Sequence, residues 1–168
     1  MVVDSFKFLP RSFRPFYEGR GAFPGEDQPV WAPFAKRLAE SRIALLTSAG
    51  IYLKASQPAF DLDSERAQPE WGDPTWRLIP ANVKPEEFGV AHLHINDEDL
   101  LADPEIVLPM QGLQQMVDDG VVGGAIAIHV SLMGYQDRDL TDWHDTTAAE
   151  IAAHLREEGA DGVVLAPA

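Results

Sequence analysis

Apolar residues fall into short blocks separated by proline- and acid-rich stretches, and the spacing within the blocks changes along the chain. Trp31, Phe34, Ala35 and Leu38 recur at helical spacing, with Lys36, Arg37 and Glu40 opposite and Pro33 suited to a first turn. Trp31 to Ser41 is therefore predicted helical. Arg42-Ile-Ala-Leu-Leu-Thr-Ser-Ala-Gly50 has the unbroken apolar character of a parallel strand buried on both faces. Thr47, Ser48 and Gly50 then make a loop at its carboxyl end. Such hydroxyls and backbone N–H groups suit a carboxylate or phosphate, and equally an ordinary tight turn. Residues 54–90 show little periodicity and read as a long loop. Within it, Thr75 to Ile79 is predicted as a short strand, with Thr75 and Arg77 on one face and Trp76 and Leu78 on the other.

Ala91-His-Leu-His-Ile95 reads as a further strand, which puts His92 and His94 on one face. Two readings stand side by side. The pair can hold a divalent metal, with Asp97 or Asp99 adding an oxygen ligand. It can equally be a half-buried strand whose histidines bond to backbone, followed by a solvated acidic turn. Downstream of Asp103-Pro104, Met110, Leu113, Met116 and Val117 predict a helix with Gly120 as its C-cap. Residues 121–132 follow as a strand of small and β-branched residues. His129 falls near the end of that strand, either on one rim with Thr47 and Ser48 or as a satisfied core histidine. Thr147-Ala-Ala-Glu150 is a capping box, opening a helix with Ala148, Ile151, Ala152 and Leu155 on its buried face. Gly159 closes that helix, and Gly162 to Pro167 is a last apolar strand.

Alternation of strands and helices predicts an α/β domain of three layers with a mostly parallel sheet, flavodoxin- or Rossmann-like in type. It occupies residues 31–168 as a single domain. Residues 1–30, rich in Pro, Arg, Phe and Tyr, form an arm that packs on the domain or on a second subunit. A homo-oligomer or a partner subunit is expected on that ground. In α/β sheets of this type, chemistry gathers beyond the carboxyl ends of the strands.

Charge narrows the choice of partners. The formal net charge of −14 excludes nucleic acid and anionic membrane surfaces, which require a basic footprint. No apolar run reaches membrane-spanning length and the first residues lack a secretory core, so the cytoplasm is the expected location. Cysteine is absent, so these residues offer no disulfide, thiolate metal site or thiol nucleophile. Nor is there a dinucleotide-binding glycine motif, P-loop, nucleophile elbow or zinc-protease helix.

Several stretches taken together carry a family resemblance. They are Val30-Trp-Ala-Pro-Phe-Ala-Lys36, Leu45-Leu-Thr-Ser-Ala-Gly-Ile51, Gly72-Asp-Pro-Thr-Trp-Arg77, Ala91-His-Leu-His-Ile-Asn-Asp97, His129-Val-Ser-Leu-Met-Gly134 and Glu158-Gly-Ala-Asp-Gly-Val-Val-Leu-Ala-Pro167. From about residue 30 onward the chain resembles the selenoprotein B component of glycine, sarcosine and betaine reductases and the selenoprotein subunit of D-proline reductase. The resemblance implies reductive C–N cleavage of a small amino-acid-like substrate. In that family a selenocysteine displaces an amine from the carbon next to a carboxylate, and in some members a pyruvoyl group on a partner subunit first holds the amine. The selenocysteine would fall just after Pro167 or Ala168, and no such residue is present. The expectation is a chain terminated at a selenocysteine codon and inactive as it stands. The alternative is a short non-catalytic module that binds ligand or metal through His92 and His94. By sequence position and this resemblance, Thr47 and Ser48 are expected to bind the substrate carboxylate, Arg77 to supply charge, and His92, His94 or His129 to protonate the leaving amine or hold a metal, His129 being the catalytic candidate.

Overall fold

A computed structural model describes Pro15 and residues 32–68, 71–93, 95–136 and 140–168. The chain divides into two compact units, residues 1–33 and 34–168. The predicted arm lies almost wholly outside the described residues.

The sheet is built on β1 (Arg42–Thr47), whose Ile43, Ala44 and Leu45 are buried. β1 pairs in parallel with β5 (Gly124–Ala125) and β6 (Ile128–Leu132) on one side and with β7 (Gly162–Ala166) on the other. β3 (Trp76–Pro80) runs antiparallel to β6 and closes that side. The sheet is thus mixed and mostly parallel, and the α/β expectation holds. Ile43 and Leu45 pack in one core with Ile79, Phe88, Leu108 and Leu113. Ala44 packs in a second core with Val130, Ile151 and Leu155. The alternation of β1 therefore feeds layers on both faces.

One covering layer holds β2 (Ile51–Leu53), antiparallel to β4 (Phe88–Val90), with α2 (Asp97–Ala102) and α3 (Met110–Asp118). The other is α4 (Ala148–Glu157), preceded by a π-helical turn at Trp143–Thr147. A short α1 (Leu62–Ala67) follows β2 and is capped by Asp61, whose carboxylate accepts from Ser64 N at 2.9 Å.

Several expectations need correction. Residues 32–37 are not helical, and a single 3₁₀ turn, Leu38–Glu40, precedes β1. Arg37 is extended, while Lys36 Nζ reaches Asp161 at 2.7 Å, and that tie holds the segment off helical geometry. The stretch 54–90 is not a loop, because its apolar residues are spent on α1, β3 and β4. Ala91-His-Leu lies beyond the end of β4 and is not a strand. The strand geometry that paired His92 with His94 is therefore not formed. Thr147 does not cap α4, since the helix has already begun upstream. Its hydroxyl donates instead to Pro74 O at 3.1 Å.

The link before β3 is held by Asp73. Its buried carboxylate accepts from Asp61 N (2.9 Å), Thr75 N (2.8 Å) and Thr75 Oγ1 (2.5 Å). Asp73→Ala strands these donors and is expected to lower the unfolding free energy by about 2 kcal/mol. Urea denaturation of the two proteins checks this.

Candidate functional site

Because β1, β6 and β7 are parallel, their carboxyl ends form one rim. Register places Ala166, Thr47, Ser131 and Arg77 in a row across four strands. Thr47 and Ser131 are wholly buried. Thr47 Oγ1 accepts from Ala49 N at 3.2 Å and so shapes the turn that leaves β1. Ser131 Oγ finds no hydrogen-bond partner among the described residues.

Just above this row the segments that leave β1 and β7 meet. Ser48 N donates to Ala166 O at 3.2 Å, and Ser48 Oγ accepts from Ala168 N at 2.9 Å. Gly134, after β6, closes the group. A Cβ on it would stand 3.0 Å from Ser48 O and 3.1 Å from Ala168 O. The absent side chain is what lets the residue after β7 approach β1 and β6 together. Beside it, Gly50 N donates to Leu132 O and Gly50 O accepts from Ala91 N, each at 3.0 Å. His92 follows Ala91 directly and is buried.

The sequence-derived candidates separate in this frame. Ser48 stands on the rim, and Thr47 lies beneath it. Arg77 is in the same row, with its donors engaged: Nε to Pro58 O at 2.9 Å, Nη2 to Ala59 O at 3.3 Å, and Nη1 to Thr75 Oγ1 at 2.8 Å. Its guanidinium lies over the Phe60 ring at 4.2 Å, so it straps residues 58–60 onto β3. Burial pulls its pKa below the ordinary value, against the nearby charge of Asp73. His129 sits low in β6, opposite Ile79 and two residues before Ser131. Its Nδ1 accepts from Leu45 N at 3.2 Å, so a side chain fills the gap in the ladder between β5 and β6. Burial lowers its pKa to about 4, leaving the ring neutral. Asp97 is exposed in the first turn of α2, capped by Asn96. His94 lies outside the described residues. Among those described, no cluster of three or more His, Asp or Glu is placed to hold a metal.

Residue spacing did not single out the cavity that opens at Gln136, two residues past Gly134. Trp71, Gly72, Gln136, Asp142 and Trp143 line a space of about 300 Å³. Gln136 builds its floor: Nε2 donates to Met133 O (2.9 Å) and Asp73 O (3.0 Å), and Oε1 accepts from Trp143 Nε1 (2.5 Å). Gly72 backs against Tyr135 O so closely that a Cβ would stand 2.0 Å from it. An adjoining space of about 360 Å³ shares Pro74 and Asp142 and adds Trp76 and Glu150. Three of the chain's four tryptophans line these two spaces, together with two acids and, among the described residues, no basic residue. That combination favours an organic cation. The π-helical turn, a feature frequent at functional sites, supplies Trp143. The available sequence signals were Trp71 and Trp143, each flanked by acids or turn residues within polar stretches.

The model of the glycine/sarcosine/betaine reductase selenoprotein B family matches residues 17–168. The chain belongs to that family. It is 30% identical over 137 residues to the D-proline reductase subunit gamma of Acetoanaerobium sticklandii, across 82% of this chain and 52% of that subunit. The chain thus spans about half the length of the curated relative it matches. No solved structure matches the chain. Family membership directs attention to the carboxyl-end rim, where Ser48, Gly134 and Ala168 converge.

Proposed function

We propose that this chain is the sheet-bearing part of a selenol-dependent reductase subunit that cleaves the C–N bond of a small amino-acid-like substrate. The observation that carries the reading is the rim itself: Ser48 Oγ holds Ala168, the second residue after β7, against Gly134, two residues before the cavity-lining Gln136. In the family a selenol supplies the displacement chemistry. The 168 residues contain neither cysteine nor selenocysteine, so that group must come from other residues. A nucleophile carried just beyond β7 would stand against Gly134, where no side chain intervenes.

The chain's own residues bind and orient. Trp71 and Trp143 offer aromatic faces to a substrate ammonium, and Asp142 balances its charge. Ser48 and the main chain of the rim stand where the substrate carboxylate would lie. The unpartnered Ser131 hydroxyl beneath adds a donor to that end. His92, buried beside the rim, is the histidine positioned for proton transfer, whereas His129 is held inside the sheet. A selenol persists only where thiols stay reduced, so the cytoplasm is the compartment. The rest of the assembly is a partner reductase subunit or a second copy.

Dithiothreitol-dependent C–N cleavage by the complete protein from its native organism tests this, read as ring opening of D-proline or as release of amine from sarcosine, betaine or glycine, with selenium determined on the same sample. Asp142→Asn and Trp71→Ala are each expected to raise KM about tenfold, the loss of roughly 1.4 kcal/mol of cation binding, with kcat little changed. Native protein that lacks selenium and cleaves none of the four substrates defeats the reaction. Unchanged KM in both variants defeats the cavity assignment.

A further inference from the structure

β7 reads Gly-Val-Val-Leu-Ala, the continuous apolar pattern of a strand covered on both faces. Its neighbour β1 has the same pattern and is covered, with Ile43, Ala44 and Leu45 no more than 6% exposed. Yet in β7 Val163 is 42% exposed, Val164 48% and Leu165 64%. Register assigns these residues to both sides. Val163 and Leu165 pair with Ala44 and Leu46, and Val164 pairs with Leu45. Both faces of the strand are therefore bare.

Its outer edge is bare too. β7 pairs with β1 alone among the described residues. The opposite edge of the sheet shows what a finished edge looks like. There Gln57 Nε2 donates to Leu78 O at 2.7 Å, Arg77 straps residues 58–60 alongside, and Pro80 removes a donor. β7 has no proline, charge or bulge to discourage pairing. Phe34, 48% exposed, extends the patch, its ring 3.0 Å from where a Gly162 Cβ would stand.

We infer that β7 is an interior strand in the functional assembly. Its free edge is taken by a strand, and its faces by helices, from polypeptide corresponding to the part of the D-proline reductase gamma subunit with no counterpart here. That relative is matched over only 52% of its length, so nearly half of it is available for this role. A second copy of this chain is the poorer occupant. Edge-to-edge pairing of two β7 strands would leave Val163, Val164 and Leu165 uncovered on both faces. It would also bring together two chains of formal charge −14. The inference stands on exposure and relative length, and holds whatever reaction is catalysed.

Amide hydrogen exchange read at Val163, Val164 and Leu165 tests it, on this 168-residue chain and on the protein purified from the native organism. A photo-crosslinking residue in place of Leu165 identifies the cover in the native organism. Exchange in the native protein is expected to be on the order of a hundredfold slower than in the 168-residue chain. The cross-links are expected to map to polypeptide homologous to the unmatched part of the gamma subunit. Equal, fast exchange in both samples overturns the inference. Cross-links confined to residues 1–168, of the same or a second copy, overturn it as well.

Discussion

Replacing Gly50 with alanine is expected to lower the unfolding free energy by about 4 kcal/mol, from a left-handed backbone and clashes with a backbone carbonyl and a methionine sulfur. Gly50 has φ +64°, a region that costs an L-residue about 1–2 kcal/mol. The added Cβ would stand 2.3 Å from Ala91 O and 2.8 Å from Met133 Sδ. The sulfur can move, but the carbonyl cannot move without opening the Ala91 N to Gly50 O bond. The Gly50 N to Leu132 O bond is strained with it, and each lost bond costs about 1 kcal/mol. For a domain of this size the midpoint of thermal unfolding should fall by about 8–16 °C. Calorimetry of wild type and variant gives the answer. A fall under about 2 °C would mean the turn relaxes freely, and the rim would then not be the rigid platform described.

His129 makes the second large effect, and it depends on pH. Its folded pKa, about 4, lies below the unfolded value near 6.5, so below that value the unfolded chain binds the proton and the folded chain resists it. The neutral ring contributes full stability above about pH 6.5 and loses it as the pH falls toward 4. Between pH 7.5 and 4.5 the loss is about 2 to 3 kcal/mol. His129→Asn keeps an acceptor for Leu45 N and removes the titration. Urea unfolding at the two pH values should therefore show wild type losing about 2 to 3 kcal/mol more than the variant. Parallel losses in the two proteins would show that burial of this ring does not govern the acid limb.

How far the sequence carried these conclusions varies along the chain. β1 and β7 were legible because an unbroken apolar run bounded by turn residues has few other uses, and Gly159 at φ +76° is the expected cap between α4 and β7. The covering layer was not legible. β2 and β4 are each too short to show a period, and they are stabilised by packing onto the core around Phe88 and Ile51. His92 and His94 looked like a pair because alternation was assumed past Val90, where the strand has already ended. His129 was put near a strand end because residues 121–132 read as one strand, and the interruption at Ile126-Ala127 is a tertiary event. The place of Ser48 on the rim was legible because small polar residues after a buried strand mark the rim of such sheets. The tryptophan cavity was missed because its walls come from segments distant in sequence, joined through Gln136.

The central place of β1 has a consequence for synthesis on the ribosome. Every strand it pairs with is made long after it, the first at Gly124–Ala125 and the last at Gly162–Ala166. At about 5–20 residues per second, on the order of ten seconds pass between Thr47 and its earliest sheet partner. Through that interval Ile43, Ala44, Leu45 and Leu46 wait as an unpaired apolar segment, the kind that holding chaperones recognise. Yield in a foreign host should then follow chaperone supply and translation speed more closely than the stability of the finished fold.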